Sequence, residues 1–112
     1  LTLTLAPTSD FQLAARRLTE AVNSVYEQYR ESIERQYENL QKSLDIQVSA
    51  PRPETRLRFT ESGLEFWVHY PVDMNGSAIT DDRVLKALHD AIASEPKLTL
   101  APSGSPKFQS AA

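Results

Sequence analysis

Between Phe11 and Leu44 the chain contains neither glycine nor proline. Apolar residues recur at Phe11, Ala15, Leu18, Val22, Val25, Tyr29, Ile33, Tyr37, Leu40 and Leu44. Steps of three and four are the period of one helix face. Glu31 with Arg35, and Glu38 with Lys42, add oppositely charged pairs four apart in the favoured order. The stretch predicts one long amphipathic helix, or two helices with a break near Ser32. A helix of about 35 residues runs roughly 52 Å. A compact domain of this size is only about 35 Å across. The far half, with Tyr29, Ile33, Tyr37, Leu40 and Leu44, is therefore expected to pack on another copy of the chain, or to fold back through the break near Ser32.

The segments on either side have a different period. Leu1 to Leu5 reads LTLTL, the alternation of a half-buried strand. Ser9 and Gln12 have capping-box spacing and predict a helix start near Asp10. Asp45 to Glu54, with Pro51 and Pro53, reads as a connector. Two alternating runs follow, Thr55 to Thr60 and Leu64 to Val72, joined by a short turn that ends in Gly63. This is a hairpin pattern. Leu57, Phe59, Phe66 and Val68 are expected to be nearly fully buried, with Leu64 and Tyr70 on the same face. Arg56, Arg58, Glu65, Trp67 and His69 point the other way, with Thr2, Thr4 and Thr99. Asp73 to Ala78 reads as a polar loop. Thr80, Asp81 and Asp82 suggest the capped, acidic start of a second helix lined by Val84, Leu88, Ala91 and Ile92. Pro96 stops it, and Leu98 and Leu100 make a last short strand.

The order β-α-β-β-α-β predicts an α+β, ferredoxin-like fold over residues 1–102. It implies a four-stranded antiparallel sheet with two helices on one face, the first unusually long. Residues 103–112 read as a flexible tail. Leu1 already lies inside an alternating run with no initiator Met before it, so a piece of a longer protein is expected.

Chemistry is sparse. The chain has no cysteine, so disulfides and thiolate metal sites are excluded. Its net charge of −3 does not attract polyanions over the whole surface. There is no G-x-S-x-G, no phosphate-binding glycine loop and no H-E-x-x-H. His69 and His89 sit on different elements, with no third ligand suggested by spacing. Asp73, Asp81 and Asp82 read as helix-start residues before they read as an acid–base pair or a magnesium site. An acylphosphatase-like site needs an Arg just after the first strand, where Ala6, Pro7 and Thr8 stand. A non-catalytic domain without cofactor or metal is the expectation. The most informative cluster is Arg56, Arg58, Trp67 and His69 on the open sheet face. The favoured reading is a contact with another copy or a neighbouring domain. The competing reading is a binding module for RNA or a small regulatory ligand, with bases stacked on Trp67. The acidic balance and the lack of an aromatic run weigh against nucleic acid as partner.

From Thr55 to Leu100 the residues resemble a known family. Glu61-Ser62-Gly63-Leu64 at a hairpin turn, aromatics in Phe66 to Tyr70, a polar loop, Arg83 near the start of a short helix, and Leu98 to Leu100 carry the likeness. The run is similar to the C-terminal cytoplasmic domain of the mechanosensitive channels of small conductance, with Leu1 to about Tyr29 fitting more loosely. The first helix is longer than the family's usual one, and the pore-lining helices and the β-domain below them are absent from this chain. The resemblance implies a homo-oligomer, usually of seven copies, on the cytoplasmic side of the inner membrane. There the domain would assemble with the parent chain's upstream membrane and β domains, below a tension-gated pore that protects cells in osmotic downshock. It implies no catalytic residue. The interface candidates are Trp67, His69, Arg56, Arg58, Tyr29, Ile33, Tyr37, Leu40 and Leu44.

Overall fold

The computed structural model describes residues 1–72 and 76–102. The elements run β1 (Thr2–Leu5), α1 (Phe11–Glu27), α2 (Arg30–Leu44), β2 (Glu54–Thr60), β3 (Gly63–His69) and α3 (Ser77–Ala93). The class is α+β. Among the described residues the sheet has three antiparallel strands in the order β1-β3-β2, so the expected four strands and two helices are corrected to three and three.

The last segment lies beside β1, where a fourth strand was expected. It holds there through one antiparallel bridge, Leu5 to Leu100. The Ala6 N–H donates to the Thr99 carbonyl at 2.7 Å and the Ala101 N–H to that of Thr4 at 3.0 Å. Among the described residues the pairing stops at this one bridge. The long helix breaks at Gln28 and Tyr29, not near Ser32. Tyr29 leaves the helical region (φ −130°, ψ 10°) before α2 begins.

α1 and α3 pack on one face of the sheet around a single core. Leu3, Leu5, Leu64, Phe66 and Val68 meet Ala14, Leu18, Val22 and Val25 of α1 and Val84, Leu88, Ala91 and Ile92 of α3. At the edge strand this cover thins. Leu57 is only half-buried, and Phe59 is 70% exposed, stacked on Phe11 with ring centroids 5.1 Å apart. The expected full burial of Leu57 and Phe59 is thus corrected, because the helices centre on β1 and β3.

The capping expectations also shift. Asp10 caps α1, its carboxylate accepting from the Leu13 N–H at 3.0 Å, while the Ser9 hydroxyl bonds to the backbone of Thr99. α3 starts at Ser77, so Thr80, Asp81 and Asp82 lie inside it and do not cap it. Asp73, and the tail from residue 103, lie outside the described residues. No described helix is long and apolar enough to cross a membrane.

Candidate interface surfaces

α2 runs past the sheet end where Glu54 pairs with His69. Ile33 anchors it and is buried at 1% exposure. Tyr29 and Tyr70 fix the joint from below. The Tyr29 hydroxyl donates to the Pro71 carbonyl at 2.7 Å. Burial, then the neighbouring Tyr26 and Asp81, push its pKa up to about 12. The Tyr70 hydroxyl donates to the Asp81 carboxylate, and burial followed by that bond raises its pKa far above the ordinary phenol value. At the far end the Gln41 side chain donates to the Val48 carbonyl at 2.6 Å, tying α2 to the connector.

A groove of about 710 Å³ opens between α2 and the chain beneath it. Ile33, Tyr37 and Leu40 form one wall, and Pro51, His69 and Val72 are among those forming the other. From Leu40 onward the apolar stripe runs in the open, with Leu40, Leu44 and Ile46 at 40%, 56% and 46% exposure. Of the helix candidates, Leu40 and Leu44 therefore present an apolar strip. Tyr37 is half-buried, Tyr29 serves the joint, and Ile33 belongs to the interior.

The sheet candidates form a second surface. Antiparallel pairing sets Arg56 beside Trp67 and Arg58 beside Glu65. The Arg56 guanidinium carbon lies 5.4 Å from the Trp67 ring centroid, a cation–π contact worth about 0.5–1 kcal/mol at an exposed site. His69 packs at 5.9 Å from the same ring. Arg58 bonds to Glu65 at 2.8 Å. Arg56, Arg58, Glu65 and Trp67 enclose a shallow hollow of about 240 Å³. His69 lies on both surfaces, lining the groove and flanking Trp67.

Chemically, the first surface is apolar, and the second sets two guanidinium groups beside an indole and a carboxylate. Among the described residues, no three His, Asp or Glu side chains cluster to hold a metal ion. Sequence reasoning missed the groove because half of its wall comes from the Pro51 and Val72 segments, which read only as connector and strand end. Protein-family models, curated proteins and solved structures were compared with the chain, and none matches it.

Proposed function

We infer that the chain is a non-catalytic assembly domain whose α2 strip holds copies of its parent protein together. The observation that carries this is the run of Leu40, Leu44 and Ile46, exposed on and just beyond a helix that projects past the core of a molecule 50 Å long and 27 Å wide. An apolar strip of this kind in water marks a surface that is covered in the working assembly. The resemblance from Thr55 to Leu100 extends the reading. The domain is proposed as part of the cytoplasmic vestibule of a small-conductance mechanosensitive channel, where it supports a ring and does not itself gate. Sedimentation across a concentration series tests the assembly step. Wild-type chain should associate, and Leu40→Glu with Leu44→Glu should return it to monomer with its far-ultraviolet dichroism unchanged. A wild-type chain that stays monomeric throughout sinks the proposal. For the channel step, the gene encoding the chain should rescue osmotic downshock survival in cells stripped of their own small-conductance channels.

A binding module is the second reading, and the hollow at Arg56, Arg58 and Trp67 supports it. Salt-sensitive binding of single-stranded RNA that disappears in Trp67→Ala would favour it.

A further inference from the structure

The outer edge of β2 is an open hydrogen-bonding template with a definite parity. The Val68 N–H donates to the Leu1 carbonyl at 2.9 Å, and the Leu1 amine to the Val68 carbonyl at 3.2 Å. In an antiparallel ladder, bonding direction alternates along each strand. Val68, Phe66 and Leu64 therefore turn their backbone groups to β1, and His69, Trp67, Glu65 and Gly63 turn theirs to β2. Their partners on β2 are Glu54, Arg56, Arg58 and Thr60. The N–H and C=O groups of Thr55, Leu57 and Phe59 consequently face outward. No described residue bonds to them through its backbone.

The side chains flanking this edge select what can pair with it. On the helix side lie half-buried Leu57 and the exposed Phe59 with Phe11 stacked on it. On the open side lie Arg56 and Arg58, the Arg58 side chain 72% exposed. β3 already shows a strand that suits these residues: it sets Leu64 against Phe59, Glu65 against Arg58 and Phe66 against Leu57. A second copy of β2 suits them less well. The two-fold register centred on Leu57 puts Arg56 opposite Arg58 twice, and the one centred on Arg58 puts Arg58 opposite itself. The register centred on Arg56 sets Arg58 against Glu54 but Arg56 against itself. Like charges directly opposite one another destabilise a strand pair.

We propose that the free edge of β2 is a strand-addition site for an extended acidic segment of a partner chain, in which carboxylates alternate with apolar side chains. Main-chain bonds to Thr55, Leu57 and Phe59 supply affinity. The apolar side chains cover Leu57 and Phe59, and the carboxylates meet Arg56 and Arg58. This surface is separate from the α2 strip, so either can fail without the other.

The test is a nuclear magnetic resonance titration of the 112-residue chain at low ionic strength. The probes are two blocked peptides of about eight residues, one alternating Val and Glu, the other Val and Lys. The Val–Glu peptide should shift the amide signals of Thr55, Leu57 and Phe59 and slow their exchange with solvent. It should bind about fivefold or more tightly than the Val–Lys peptide, as expected for two cross-strand charge pairs. Arg56→Glu with Arg58→Glu should reverse that preference. Equal binding of both peptides by the wild-type chain, shifts confined to α2, or no binding at all overturns the proposal, whatever the variant does.

Discussion

Gly63 shows how a residue can be legible for one reason and required for another. Its place after Glu61-Ser62 marks a turn. Its backbone sits at φ +136°, and a Cβ built there would lie 2.2 Å from the Leu5 carbonyl oxygen. That oxygen belongs to a strand 58 positions earlier and cannot move without disturbing β1. Gly63→Ala should therefore destabilise the domain by about 1–3 kcal/mol or more in denaturant titration. Phe66 was expected in the core and is there at 1% exposure. Phe66→Ala should cost about 3–5 kcal/mol, whereas Phe59→Ala, at an exposed stack, should cost far less in the same experiment. Tyr29 gives a pH signature. Its folded pKa of about 12 lies above the unfolded value of 10.0, so the folded state keeps a proton that the unfolded chain loses. Its contribution is complete below pH about 10 and disappears as pH rises through 12. Alkaline titration of stability should fall across that window, and less steeply in Tyr29→Phe. Equal slopes would show that Tyr29 is not held protonated by the fold.

At the scale of elements, α2 separates two residues that the period treats alike. Ile33 and Leu40 share the apolar face and both line the groove, yet Ile33 is buried and Leu40 is 40% exposed. Ile33→Glu places a charge in the interior and should destabilise by about 3 kcal/mol or more. Leu40→Glu should leave stability within about 0.5 kcal/mol and act on association instead. Thermal melts of the two variants at low concentration distinguish these outcomes. The break at Tyr29 had no sequence mark, since no glycine or proline stands there. It is tied instead to a tertiary bond, from the Tyr29 hydroxyl to a carbonyl 42 positions away. The last segment was misjudged for the opposite reason. Leu98 and Leu100 do alternate, but the segment meets β1 through one bridge and forms no strand among the described residues.

Across the whole molecule, one core joins β1, β3, α1 and α3, while α2 beyond Ile33 lies along a groove wall and is tied to the connector by the Gln41 side chain. Native-state hydrogen exchange should follow that division. Amides of β3 and the middle of α1 should exchange only with global unfolding, and those after Leu40 by local opening at lower free energy. The sequence alone determined the α+β class, the two periods, the hairpin turn and which residues share each face, because these follow from the geometry of a helix turn and a strand pleat. Only the tertiary structure decided how much of each face is covered. A pattern states that a face is apolar, but its burial depends on where the neighbouring elements end. α1 and α3 centre on β1 and β3, so Phe59 and the outer edge of β2 stay open. The sheet stops short of α2, so Leu40 and Leu44 stay open too.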